Sequence, residues 1–247
     1  MNLCDAHCHL ANLSQAMPLE ALFADAAQRG ITRYLSSALS RRDLEMYPVI
    51  AENKLIKLLY SAGVHPSFDY CDLKVDDIQK LCNENKIWAV GEIGLDRANK
   101  DFNTMKQLFI DQLELASNFN LPVVLHIVGY QQEAYNILRK YPLKYLLHGY
   151  AGSVEAFHSF TKLNCFYTIS ERVLHKDKRS LLNAMLKHRR FLFETDITAY
   201  YVKDGEKNPL LRLLEVLNCT QEISNIDLNT LLKIQADNFL LLTGQHL

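Results

Sequence analysis

The stretch IWAVGEIGLD, Ile87 to Asp96, taken with the residues up to Val128, sets the architecture. It is a short apolar run that carries a carboxylate, Glu92, among glycines. Behind it Met105, Leu108, Phe109, Gln112, Ala116 and Phe119 recur at i, i+3 and i+4, the period of one helix face. A second apolar run, LPVVLHIV (Leu121–Val128), closes the unit. Two strands joined by a crossover helix lie parallel, because a connection this long carries the chain back to the end of the sheet at which the first strand began.

Outward from this unit the same alternation continues. DAHCHL (Asp5–Leu10), ITRYLSS (Ile31–Ser37) and KLLYSAGVHP (Lys57–Pro66) precede it; KYLLHGY (Lys144–Tyr150), NCFYTIS (Asn164–Ser170) and FLFETD (Phe191–Asp196) come after it. Helical patterns lie around them. In Pro18–Gly30, Leu19, Leu22, Phe23 and Ala26 share a face, with Pro18 suited to a first turn and Gly30 to a stop. Arg42–Asn53 is interrupted by Pro48, which predicts a kink or boundary there. Further patterns cover 132–139, 153–163, 179–187, 209–217 and 228–241. Eight strand-like runs with intervening helices predict an α/β fold, a single (β/α)8 TIM barrel occupying residues 1–247 as one domain. A doubly wound open sheet is the structural alternative.

Composition excludes several classes. Of the 247 residues, 49% are hydrophobic and 22% charged, the make-up of a globular chain rather than a disordered one. Lys plus Arg number 27 and Asp plus Glu 28, a net charge of −1, which lacks the basic excess of a protein that coats a nucleic-acid duplex. The clusters Lys187-Arg189-Arg190 and Arg41-Arg42 read as solvated helix ends. Six scattered cysteines without CxxC spacing, and no signal-peptide pattern in the sequence as given, predict reduced thiols and a cytoplasmic location. No apolar stretch has membrane-spanning length, so a soluble protein is expected.

In a barrel of this kind the site lies at the carboxyl ends of the strands. Polar residues interrupt the apolar runs there: His7 and His9, His65, Glu92, His126, His148 and Asp196. Strand alternation points His7 and His9 to one face, and turns Cys8 away from it into packing. Singly, each has an ordinary explanation: a hydrogen-bonded core histidine, an ion-pair glutamate, a capping aspartate. Together they crowd ionisable groups at a cost of several kcal/mol per unpaired charge, which divalent cations offset better than protein donors do. His158, His175, His188 and His246 lie outside the pattern and receive no role.

With these residues in place, the chain resembles the TatD family of metal-dependent deoxyribonucleases, within the amidohydrolase-like barrels. The matching segments are DAHCHL, GVHP, GEIGLD, PVVLH, HGYAGS and ETD, the QLFIDQLELA helix, and the pairs Asn208-Pro209 and Asn238-Phe239, in family order over nearly the whole chain. The resemblance implies two divalent ions (zinc, manganese, magnesium or nickel), one on His7, His9 and Asp196, the other on His126 and His148, with Glu92 bridging. It implies that His65 holds the scissile phosphate, that His65, Glu92 and Asp196 are catalytic, and that DNA, single-stranded or at duplex ends, is the substrate of an exonuclease. Asp196 would take or position a proton with its second oxygen, and Glu194, alternate to it, would stand behind the ligands. No membrane and no obligate protein partner are expected.

Two segments depart from the family pattern. His126 continues as HIVGY rather than into an HSR-type segment, and ETD continues as ITAYY rather than SP. The ligand positions are intact while the substrate surface differs. A rival reading is therefore an amidase, lactonase or esterase acting on a small carbonyl, and a third is a metal-binding scaffold without turnover. Tyr200 and Tyr201 are either packing aromatics or a platform for unpaired bases.

Overall fold

The computed structural model describes residues 2–247. Eight parallel strands pair in sequence order: β1 (Leu3–Cys8), β2 (Ile31–Ala38), β3 (Lys57–Ala62), β4 (Ala89–Asp96), β5 (Val123–Val128), β6 (Tyr145–Leu147), β7 (Cys165–Ile169) and β8 (Phe191–Phe193). Two backbone bonds draw the ends together above β8, from Asp196 N to the His7 carbonyl and from His9 N to the Ile197 carbonyl, each 3.0 Å. The result is a nearly closed (β/α)8 barrel. Helices cover it: α1 (Leu10–Leu13), α2 (Leu19–Gln28), α3 (Arg41–Ala51), α4 (Val75–Asn83), α5 (Phe102–Phe119), α6 (Gln131–Leu138), α7 (Val154–Phe160), α8 (Arg179–His188), α9 (Arg212–Ser224) and α10 (Leu228–Thr243).

The sequence placed most of these within a residue or two. Pro48 is the main departure, since α3 runs through it. Pro48 lies on the exposed side of α3, where the carbonyl that loses its amide partner can turn to water. Helix α4 lacked a clear expectation, and α9 continues seven residues past Leu217. Pro18 stands at the N-cap of α2 rather than inside its first turn. All six cysteines are free, and Cys8 is buried among apolar side chains with its Sγ 3.7 Å from the Leu35 carbonyl oxygen. No helix among the described residues is long and apolar enough to cross a membrane.

Period two organises the interior. Cys4, Ala6, Leu35, Ala89, Val124, Leu146, Phe166 and Leu192 form an apolar cluster that α10 closes with Phe239 and Leu242. Two residues further along most strands the inward position becomes polar: Ser37, His126, His148, Thr168 and Glu194. Strands β1 and β4 would break this order, because strict alternation from Ala6 and Ala89 leads to Cys8 and Ile93. Register shifts between Asp5 and Cys8, and between Val90 and Ile93, reverse the parity. Such irregularities re-aim side chains, and here they send Cys8 and Ile93 to the outer core while His7, His9 and Glu92 join the polar layer.

Candidate metal centre

Glu92 stands in the middle of that layer, and two glycines let it. A Cβ on Gly94 would lie 2.0 Å from the His126 carbonyl oxygen, and one on Gly91 would lie 2.5 Å from the Val124 Cβ, so any other residue would force β4 away from β5. The glutamate's two oxygens divide the imidazoles. Oε1 faces His7 Nε2 at 3.4 Å and His9 Nε2 at 3.2 Å. Oε2 faces His148 Nε2 at 2.7 Å, His126 Nδ1 at 3.5 Å and His65 Nε2 at 3.6 Å. Asp196 Oδ1 completes the first group, 3.6 Å from His7 Nε2 and 3.5 Å from His9 Nε2. His126 Nδ1 and His148 Nε2 lie 3.2 Å apart.

The structure thus brings together all seven residues singled out from the sequence. Most of these separations are long for hydrogen bonds, and His7 Nε2 and Glu92 Oε1 are buried without a partner among the described residues. They do suit ligands of one cation. Ligand atoms about 2.0–2.1 Å from a tetrahedral ion stand about 3.3 Å from one another. Buried donors of two types, nitrogen and carboxylate oxygen, converge at about that spacing in overlapping groups around Glu92, so the residues present fit a bound metal.

What holds the far side of each ring separates the histidines by role. His9 Nδ1 donates to the Ser37 carbonyl at 2.9 Å, leaving Nε2 as a lone-pair donor. His126 Nε2 donates to Asp96 Oδ2 at 2.9 Å, leaving Nδ1. His65 is inverted. Its Nδ1 accepts the backbone N–H groups of Ser67 and Phe68, at 3.1 and 3.0 Å, so its proton resides on Nε2 and points at the site. Burial also pulls the His65 pKa down, against Glu92. His65 is therefore a neutral hydrogen-bond donor toward the site. Gln112 of α5 fixes the segment that carries it, accepting from Val64 N at 2.6 Å.

Protonation reflects the crowding. Burial favours the neutral ring of His9, but Glu92 and Asp196 outweigh it and raise the pKa to about 9. His126 is likewise held at about 9, burial being overcome by Asp96 and Glu92. Burial and the neighbouring His7 push His148 down to about 3. Burial opposes ionisation of Glu92 and Asp196, yet the surrounding imidazoles hold both below the usual carboxylate range. Asp5, in contrast, rises to about 7 by burial although it accepts from Thr195 N at 3.0 Å, a bond that ties β1 to the segment after β8. Burial and the charge of Asp196 push Glu194 well up; its Oε1 accepts from Gly149 N at 2.9 Å, while its Oε2 is 3.8 Å from His148 Nδ1.

Three site residues escaped the sequence reading. Asp96, inside the GEIGLD segment but given no role, accepts from His126 and from Ser67 Oγ, the latter at 2.6 Å. Arg172, on a 3-10 turn after β7, donates from Nη2 to Asp196 Oδ2 at 2.8 Å. That bond occupies the oxygen expected to handle a proton. Asp196 itself has φ 56°, a left-handed conformation that its short polar side chain tolerates. Ser67 and Arg172 carried no sequence signal, since neither interrupts an apolar run.

The comparisons with known proteins agree on the framework. The pattern described as TatD related DNase matches residues 4–244, essentially the full length. The chain belongs to the TatD family. An uncharacterized metal-dependent hydrolase of Haemophilus influenzae is 31% identical over 214 residues, 79% of this chain and 81% of that one. The uncharacterized metal-dependent hydrolase YjjV of Escherichia coli K12 is 30% identical over 64% of each chain. The crystal structure of YjjV, a TatD homolog, superposes with a TM-score of 0.81 at 23% identity over 98% of both chains. An organophosphorus hydrolase from Deinococcus radiodurans shares the fold, with a TM-score of 0.73 at 10% identity, covering 98% of this chain and 92% of its own. This TatD-family member is a metal-dependent hydrolase.

Proposed function

We propose that the protein hydrolyses phosphodiester bonds in DNA, using two divalent cations at the rim of the barrel. The observation that carries this reading is the division of Glu92, whose Oε1 faces His7 and His9, the two rings that Asp196 also faces, while its Oε2 faces His126, His148 and His65. Such a pair of cations supplies an activated water near neutral pH and clamps a phosphoryl group as charge develops on it. The protein's own groups do the rest. His65 offers Nε2–H to a non-bridging oxygen from a cavity of about 410 Å³. Asp196 keeps Oδ1 for a cation while Arg172 holds Oδ2 and its charge.

DNA as the substrate is supported by the aromatic rim. Tyr200 is 64% exposed and Tyr70 72% exposed, each against Phe68, with ring centroids 6.3 and 5.8 Å apart. Tyr201 is exposed as well. Aromatic faces left open at a cavity mouth suit unpaired bases, a role that packing aromatics could not fill. Val128 lines the same cavity where the family pattern expects a polar side chain, so this wall is apolar.

The test is metal analysis of the purified protein, followed by assays on single-stranded DNA, duplex DNA and RNA with and without chelator. A panel of esters and lactones run beside bis-p-nitrophenyl phosphate separates the carbonyl reading. Chelator-sensitive cleavage of single-stranded DNA is expected. Turnover confined to the carbonyl panel would overturn the proposal.

A further inference from the structure

Beside the main cavity lies a second one of about 260 Å³, and the two share Arg172, Asp196 and Tyr201 as a common wall. The remaining wall is formed by Ser170, Glu171, Thr195, Lys203 and Arg212. The lining carries three cations, Arg172, Lys203 and Arg212, against two carboxylates, Glu171 and Asp196. Arg212 is neutralised by Glu206, with Nε 2.6 Å from Oε1. Among the described residues the Lys203 ammonium has no carboxylate partner, and Glu206 is already engaged by Arg212 and by the Lys203 backbone N–H at 2.9 Å. Arg172 commits Nη2 to Asp196 and keeps its other guanidinium donors, with the side chain 41% exposed. Glu171, which also lines the cavity, is exposed and makes no ion pair among the described residues.

A second observation points the same way. Ser170 is 3% exposed, yet its Oγ has no hydrogen-bond partner among the described residues. A buried hydroxyl without a partner is costly, and here it lines the cavity that two cations share. A fork of guanidinium donors, an ammonium and a hydroxyl are what a tetrahedral oxyanion requires.

We infer that this side cavity is a second phosphate subsite, which takes the phosphate next along the chain from the one being cleaved. The inference rests on the phosphodiesterase reading above and names what that reading leaves open: a substrate with at least two neighbouring phosphates is preferred over a lone phosphodiester. Arg172 spans both cavities and so sets the spacing between the two groups. Lys203 and Ser170 serve the second group alone.

The probes are a thymidine dinucleotide with a 5′-terminal phosphate, the same with a 3′-terminal phosphate, and the same with neither. Binding of each is measured by calorimetry to chelator-treated protein, and hydrolysis of each is measured with metal. One phosphorylated form should bind about tenfold more tightly than the plain dinucleotide. Lys203→Ala and Ser170→Ala should each erode that difference while leaving hydrolysis of bis-p-nitrophenyl phosphate within about twofold. Equal affinity for all three probes, or a Lys203→Ala loss that is the same for all three, overturns the subsite. Failure to hydrolyse any phosphodiester overturns the proposed activity instead, and the binding arm still decides the subsite.

Discussion

The two sides of Glu92 are built differently. On the β1 side His7 and His9 are almost wholly buried, and backbone groups hold them: the Ser37 carbonyl orients His9, and the chain beyond β8 bonds directly to the His7 carbonyl and His9 N. On the β5 side His126 is more open and is oriented by a side chain, Asp96, which Ser67 and the Ala98 N–H hold in turn. Backbone is set by the fold, whereas a carboxylate can be removed by one substitution. The β1 side should therefore bind its cation first and more tightly, and the β5 side should be the one that other residues tune.

Breaking the shared element gives the largest effect. Glu92→Gln keeps the shape and removes the charge both sides depend on, so the turnover number should fall on the order of 10³-fold or more, with both metals lost. Metal content and single-turnover kinetics read this directly. Near-normal turnover would mean that Glu92 does not join the two sides.

Asp96→Asn sharpens the comparison. The neutral amide keeps one acceptor oxygen where three donors converge, so it holds His126 in the tautomer that frees Nδ1 less firmly, and affinity for one of two metals should drop about 10- to 100-fold. Titration calorimetry should then show the tight step unchanged and the weak step weaker. Equal weakening of both steps would remove the distinction between the sides.

A smaller effect, proton release, is common to both sides. His9 and His126 both hold protons up to about 9 when only protein groups surround them, and each must lose its proton to bind a cation. Loading at pH 7.5 should release about two protons, one with each binding step, readable from heats measured in buffers of different ionisation enthalpy. Stability without metal moves in the opposite direction. These raised pKa values stabilise chelator-treated protein fully below about 6.5, and that stability is lost as pH rises toward about 9. Metal affinity should climb over the same window, so the melting-temperature gap between loaded and chelated protein should widen from about pH 6.5 to about 9.

The smallest effect concerns the rim. Tyr200→Ala should raise KM for single-stranded oligonucleotides about tenfold and leave hydrolysis of an abasic oligonucleotide unaltered, since only the former has bases to stack.

Most of the barrel was legible because its strands and helices differ in period. The ligand positions were legible because His126, His148 and Asp196 each interrupt an apolar run near its end. What the sequence did not reveal is the change of parity within β1 and β4. Counting by twos from Ala6 and Ala89 would put Cys8 and Ile93 inside, and only the register shifts in β1 and β4 bring His7, His9 and Glu92 to the site. The inverted tautomer of His65 was equally hidden, because it depends on two amides of a turn, those of Ser67 and Phe68. Arg172 and Asp96 act through contacts from separate loops and strands, 24 and 30 residues from their partners, which no local pattern encodes.

Anomalous scattering from a crystal of the manganese-loaded protein reads the joined pair of sites directly. Two peaks are expected astride Glu92, one about 2.0–2.2 Å from His7 Nε2, His9 Nε2 and Asp196 Oδ1, the other at that distance from His126 Nδ1 and His148 Nε2, with His65 Nε2 bound to neither. A fully loaded crystal with one peak, or with peaks that Glu92 does not touch, would contradict the account.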